Sequence, residues 1–430
     1  MRNLAMTKRG PFRISMREIP FYGCIAFVCV GIVPMFWGAL AGRYLTYVYA
    51  VLLALWAIDF GGCVLRRRNI SYMYGLLLIY VFALILFAVM NVYNFRAYFI
   101  TVFVALFPAM IYCQFESRID DETARIAAGM LLLLFLVTFA TTISGFIEDP
   151  YLVRNLVVTL HDQRFDYMAR NVGNVGHVYT AGLLFVTCMT RLHNVPTYHR
   201  FKKVAFLVAM GLSATMVVMG SSGITLLSTI VGSVWAVSLK RENRLRFAIV
   251  AVVLILFLIF RESIADLLSS MSRSVGNAYI SKKMLDLALS MTGGEAVGDV
   301  AARTDRYWAS FKVFLNSFGL GVGPQYAQVY AGNIVDGHSD LFASLARYGI
   351  LWLIVMTAFF KKFCQRMECS SLMRTGHKSD NEPVIIAFLI MFVLQPISMS
   401  EEIMAYTFLV LPYFDLIFNS DQRKKSEHAR

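Results

Sequence analysis

Apolar and polar positions along this chain fall into long blocks rather than the short periods of a soluble fold. Apolar runs of about 20 residues, the length a helix needs to cross a hydrocarbon core, recur throughout. They predict about 12 spans, centred near Val30, Leu53, Phe82, Val104, Leu134, Leu184, Ala209, Ile230, Leu254, Leu351, Ile390 and Leu409. Most polar connections between them are short. Two are longer, residues 148–176 and residues 261–339, and the second runs to about 80 residues. A long polar segment with paired arginines and a histidine beside a bilayer is where function is expected.

Composition agrees with the block pattern. Hydrophobic residues make up 58%, aromatic residues 14% and charged residues 16%, with a mean hydropathy of +0.61. These values exclude an ordinary soluble domain, and no stretch is long enough for an independent soluble core. The expected fold is all-α: a polytopic integral membrane protein, one membrane domain over residues 1–430, with short helices in its large outer loop.

Basic residues set the orientation, because lysine and arginine are retained on the cytoplasmic side during insertion. Arg2, Lys8, Arg9, Arg13 and Arg17 hold the N-terminal tail inside. With that start, about 27 of the 40 basic residues fall inside and about 13 outside. Both termini are then cytoplasmic, and residues 148–176 and 261–339 share the outer face. The net charge of +13 becomes a topogenic signal and an attraction to anionic lipid, not a nucleic-acid footprint. Ala39-Leu40-Ala41 imitates a signal-peptidase site, but the run before it spans a bilayer and further spans follow, so an uncleaved first helix is expected. The seven cysteines lie in spans or on the inner side, which implies neither disulfide nor cysteine metal site.

Within 261–339, Ile280, Met284, Leu287 and Met291 recur at helical spacing with Lys282, Lys283 and Asp286 elsewhere on the wheel, predicting a surface helix. Trp308, Phe311, Leu315 and Phe318 predict an apolar stripe on a second helix whose first turn carries Arg303 and Arg306. These arginines stand three apart and project to one side. They are either solvated partners of Asp299 and Asp305 or an anion clamp, since guanidinium forks match phosphate oxygens and stay charged. Gly319, Gly321 and Gly323 before Pro324 end that helix, either as a plain terminator or as a close backbone approach to phosphate or sugar.

His338, flanked by Asp336 and Asp340, falls at the outer boundary of the next span. Imidazole titrates near neutrality and can accept a proton from a sugar hydroxyl, with Asp336 or Asp340 orienting it. Asp-x-His-x-Asp could also ligate a divalent cation, but the nearby Arg303, Arg306 and Arg347 favour an anion, and no metal or other cofactor is expected. In the smaller loop, Arg170 is a snorkelling arginine or a second phosphate contact. His161 and His177 read as packing or hydrogen-bonding residues.

The residues Arg303-Thr-Asp-Arg-Tyr-Trp308, Gly319-Leu-Gly-Val-Gly-Pro324, Gly337-His338-Ser-Asp-Leu-Phe with Ala346-Arg-Tyr-Gly349-Ile, and Arg170 to His177 resemble, in kind and order, motifs of the bacterial O-antigen polymerase and O-antigen ligase superfamily. That family's arginine stands nearer the tryptophan than Arg303 and farther than Arg306, so the choice between them stays open. Its Pro-Asn after the earlier arginine is replaced here by Val178-Tyr179. The resemblance implies a glycosyltransferase of the bacterial inner membrane, acting at the periplasmic face on undecaprenyl-diphosphate-linked oligosaccharide in polysaccharide or lipopolysaccharide biosynthesis. Arg170, Arg303 and Arg306 would hold the diphosphate, and His338 would deprotonate the attacking hydroxyl in metal-independent, inverting transfer. Asp336, Asp340, Trp308, Gly321 and Gly323 would support them.

A polymerase would add the growing glycan to a new lipid-linked repeat unit, with a chain-length regulator as a further partner. A ligase would deliver it to the lipid A core. The looser motif spacing leans toward the polymerase. A different class, a transporter of lipid-linked sugars, would need ionisable residues near midspan. Asp59, Asp415, Glu401 and Glu402 come nearest, all near predicted span ends.

Overall fold

The computed structural model describes residues 18–39, 106–116, 118–149, 166–220, 222–238, 259–274, 278–292, 298–322, 339–375, 381–394 and 400–418. Isolated positions are also described between 51 and 59, at 152, and at 252 and 255. Among the described residues the architecture is all-helical, without a strand. In chain order the helices are α1 (Ile19–Ile32), α2 (Pro34–Ala39), α3 (Leu106–Phe115), α4 (Asp121–Glu148), α5 (Val175–Arg191) and α6 (Arg200–Met219). There follow α7 (Gly223–Ser238), α8 (Arg261–Ser274), α9 (Ala278–Thr292), α10 (Gly298–Asn316), α11 (Asp340–Thr375), α12 (Glu382–Leu394), α13 (Glu401–Ala405) and α14 (Phe414–Phe418).

Among the described residues, three helical stretches are long and apolar enough to cross a membrane: α4, α6 and the Asp340–Glu368 part of α11. Four shorter apolar helices, α1, α3, α7 and α12, fall below a full span. About 12 spans is therefore more than these helices bear out. The spans expected near Leu53, Phe82 and Leu254 lie largely or wholly outside the described residues. Local chemistry explains part of the shortfall. The first apolar run breaks at Val33, extended at φ −100°, because Pro34 starts a new helix and disfavours helical geometry just before it. The last run changes character too, passing from α13 through a π-helical turn (Tyr406–Val410) and a 3-10 turn (Leu411–Tyr413) into α14.

The long helices leave large apolar side chains facing outward. Leu133 and Val137 of α4, Phe201, Val204 and Leu207 of α6, and Leu351 and Ile354 of α11 are all exposed. In water such faces would aggregate; against hydrocarbon they are at home. At the centre lies α5, nearly every side chain of which is buried, packed against α4, α6, α7 and α12. Glycines let the backbones meet: a Cβ on Gly182 would come 2.7 Å from Thr229 Oγ1, and one on Gly232 would come 2.9 Å from Val186. Close approach over small residues is how helices associate where apolar burial gives no preference. An aromatic cluster joins α3, α11 and the final segment, with Phe363 and Phe408 ring centroids 4.4 Å apart.

Segment 261–339 contains the helices α8, α9 and α10. The helix expected around Ile280 to Met291 forms as α9, but Asp286, placed away from the apolar side in the sequence pattern, is buried together with Ala288. In α10 only Phe311 of the predicted stripe packs inward, against Phe342. Trp308, Leu315 and Phe318 point outward, while Ser310, Val313 and Ser317 are buried. Small residues won because α10 packs closely on α11, where Val313 meets Ala343 and Ala346.

Candidate functional site

The packing face of α10 decides how its two arginines differ. Arg303 lies one turn before Tyr307 and two before Ser310, on the face turned inward, and is half-buried. Arg306 is exposed. The Arg303 guanidinium hydrogen-bonds the Tyr307 phenol. Burial pushes the Tyr307 pKa up, and Arg303 opposes that shift. The phenol keeps its proton and donates it to the Leu394 carbonyl at 2.9 Å. Its ring stacks on Phe342, centroids 5.7 Å apart. Trp308 is on the outer face, with the Lys312 ammonium 5.8 Å above its ring.

The start of α11 is fixed to the same helix end. Ser339 caps it, accepting from the Phe342 N–H at 3.2 Å, and its hydroxyl donates to the Val393 carbonyl at 2.5 Å. Asp340 is the first residue of α11. Tyr179, buried in the second turn of α5, completes the cluster. Its hydroxyl hydrogen-bonds Ser222 just before α7, and Arg303, Asp340 and Tyr307 all act on it electrostatically. Two of the predicted site residues, Arg303 and Asp340, thus both lie within electrostatic reach of Tyr179. His338 itself, with Asp336 and Gly323, lies outside the described residues.

Gly319 and Gly321 adopt left-handed backbone, φ 77° and 83°. Their close approach is to this chain's own backbone. α11 is kinked at Gly349, φ 74° and ψ −170°, and the turn docks into the kink. Ile350 N–H donates to the Gly319 carbonyl at 2.8 Å, and Val322 N–H to the Ala346 carbonyl at 3.0 Å. A Cβ on Gly321 would come 2.6 Å from the Arg347 carbonyl, and one on Gly349 would collide with the Gly319 and Leu320 carbonyls. Beside this joint Arg347 has a buried Nε with no hydrogen-bond partner among the described residues.

Arg170 is set apart on the 148–176 segment, half-exposed and paired with Glu148 at 2.6 Å. That ion pair raises its already high pKa, so it stays charged throughout. The following residues are pinned down. Asn171, at φ 57°, donates to Thr138 and Thr141, and Gly173 N–H donates to Thr142 Oγ1 at 2.7 Å. Asn174 then caps α5 reciprocally with His177.

Sequence reasoning missed two things. Tyr179 and Tyr307 join the arginine cluster; one sits inside an apolar run and the other beside a more conspicuous tryptophan. The second is the convergence of His177, Glu401 and Glu402, each noted singly in the sequence, at the start of α5 against the end of α1. His177 was expected only to pack or hydrogen-bond, which it does: Nε2 bonds the Ile32 carbonyl at 2.8 Å. Among the described residues no three His, Cys, Asp or Glu side chains converge as metal ligands.

No model of a known protein family matches the chain, and no curated protein matches its sequence.

Proposed function

We propose that this protein is a multi-pass membrane glycosyltransferase that polymerises lipid-linked oligosaccharide repeat units at the outer face of a bacterial inner membrane. The observation that carries the reading is the inward-facing Arg303, hydrogen-bonded to Tyr307, whose ring stacks on Phe342 in the first turn of α11. A half-buried guanidinium near the ends of apolar helices suits the diphosphate of a prenyl-linked sugar, because lowered dielectric strengthens the pairing. Arg347, with its unpartnered Nε, adds a second cation on the same helix as Asp340.

In this reading Arg303 neutralises the leaving diphosphate, with Arg306 and Arg170 as outer contacts. His338, next to the α11 cap Ser339, takes the proton from the acceptor hydroxyl as that oxygen attacks the anomeric carbon. The C–O bond to the diphosphate breaks as the new glycosidic bond forms, inverting the configuration. Positioning and charge neutralisation are the main demands of such a step. A ligase delivering the glycan to lipid A core would use the same donor chemistry.

The test is the polysaccharide profile of a strain lacking the gene and restored with wild type or His338→Ala. Lipid core carrying a single repeat in the deletion supports the polymerase. Bare core with polymer accumulating on its lipid carrier supports the ligase, and an unchanged ladder refutes both. A transporter of lipid-linked sugars is the second reading, favoured by the buried carboxylates Glu401 and Glu402.

A further inference from the structure

The buried group between α1, α5 and α13 has a charge imbalance that its protein partners do not resolve. Glu401 and Glu402 are 8% and 6% exposed, and His177 is 1% exposed. Glu402 Oε1 accepts from Asn174 Nδ2 at 2.7 Å and lies 3.7 Å from His177 Nδ1. The hydrogen bonds assign one of the histidine's two ring nitrogens. A carbonyl can only accept, so Nε2 carries the proton that bonds Ile32, while Nδ1 lies 3.2 Å from the Asn174 backbone N–H, a donor, and 3.1 Å from Asn174 Oδ1, an acceptor. In either protonation state His177 can balance at most one of the two carboxylates, and the one it approaches is Glu402.

Glu401 has less support still. Its carboxylate lies against the backbone of α1 at Gly31, where any Cβ would collide with it. Its Oε1 has no hydrogen-bond partner among the described residues, and neither does Ser400 Oγ. No lysine or arginine pairs with either carboxylate among the described residues. The titratable groups against Glu401 are Glu402 and Cys29, with His177 beyond Glu402. Two adjacent carboxylates cannot both stay charged in such a place without a positive partner, since the cost of burying an unpaired charge is several kcal/mol or more.

The surrounding backbone is of the kind that binds ions. α1 is interrupted at Val33, beside the Ile32 carbonyl used by His177, and α13 leads into a π-helical turn. Broken helices in apolar segments free carbonyls for cations, and π turns concentrate at functional positions. Gly176 is needed here as well: a Cβ there would come 2.5 Å from Glu402 Oε2 and 2.7 Å from Ser400 Oγ, so these two oxygens share one small space. The donors are oxygens, and both His177 nitrogens are already engaged, which disfavours a transition metal.

We propose that Glu401, Glu402 and Ser400 form a binding site for one small monovalent cation, a sodium ion or a proton, at the break in α1. The bound cation supplies the missing charge and locks α1, α5 and α13 together. This inference does not depend on the glycosyl-transfer reading: loss of cation binding leaves the Arg303 cluster as it is, and an inactive Arg303 variant keeps the cation response.

The test uses the full-length purified protein in detergent, with thermal unfolding followed by tryptophan fluorescence. Sodium chloride is titrated against N-methyl-D-glucamine chloride at constant ionic strength, at pH 6 and pH 8. Sodium binding raises the wild-type melting temperature by about 2 °C or more at pH 8, less at pH 6 where protons compete, and the rise disappears in Glu401→Gln. Proton binding gives a melting temperature independent of sodium that falls from pH 6 to pH 8 in wild type and not in Glu401→Gln. Glu402→Gln is the second variant should the first not fold. A wild-type protein that responds to neither sodium nor this pH step, or whose response survives in a folded Glu401→Gln, overturns the proposal.

Discussion

Replacing Gly349 with alanine tests the joint that carries the candidate site. At φ 74° and ψ −170° this residue occupies backbone territory essentially reserved for glycine, and an alanine held there is strained by about 1–3 kcal/mol. The added Cβ would also strike the Gly319 and Leu320 carbonyls, which are backbone atoms and cannot swing aside. Relief requires the turn to lift away, losing the Ile350-to-Gly319 and Val322-to-Ala346 hydrogen bonds at about 1 kcal/mol each. Together these give about 3–5 kcal/mol of destabilisation. Gly129, in mid-helix with nothing within 4 Å of a new Cβ, is the control, and its alanine variant gains about 0.5–1 kcal/mol from helix propensity. Thermal unfolding of the purified protein should drop by several degrees for Gly349→Ala and not for Gly129→Ala. A Gly349→Ala protein melting within about 1 °C of wild type would refute the docking of turn into kink.

Other outcomes follow from the same geometry. Arg303→Ala should lower polymer formation by about 100-fold or more, with Arg303→Lys recovering only part, while Arg306→Ala costs much less; equal losses at the two positions would contradict the inward and outward assignment. His338→Ala should abolish polymer while leaving the protein inserted at normal abundance, and normal product would remove it from the mechanism. Tyr307→Phe leaves the Leu394 carbonyl without its phenol donor and should cost about 1 kcal/mol in stability, together with activity if Arg303 relies on that tyrosine for placement. Arg170→Ala, breaking an exposed ion pair, should leave the melting temperature unmoved, so any fall in product formation would mark a role in binding substrate.

The positions of most helices could be read from the apolar runs because burial and lipid exposure both demand the same residue types. Their ends could not. Whether a run continues past Val33 or Gly349 depends on a proline ring and on one glycine torsion, and neither changes the average polarity. The facing of α10 was misread for a related reason. Large apolar residues suggest a core, yet against a closely packed neighbour the inward positions went to serine and valine, and Trp308, Leu315 and Phe318 were left for the surroundings. Arg303 and Asp340 were visible as chemistry, but which of two arginines turns inward follows from that packing. The Glu402–Asn174 contact joins residues 228 apart in sequence, so no local pattern could announce it.

Tyr307 and Ser339 hang from successive carbonyls, Leu394 and Val393, of one helix end. Two arms fixed to a single peg move as a pair: whatever tilts the last turn of α12 carries α10 and the start of α11 by the same displacement. The spacing between Arg303 and the first residues of α11 is therefore set by one shared support.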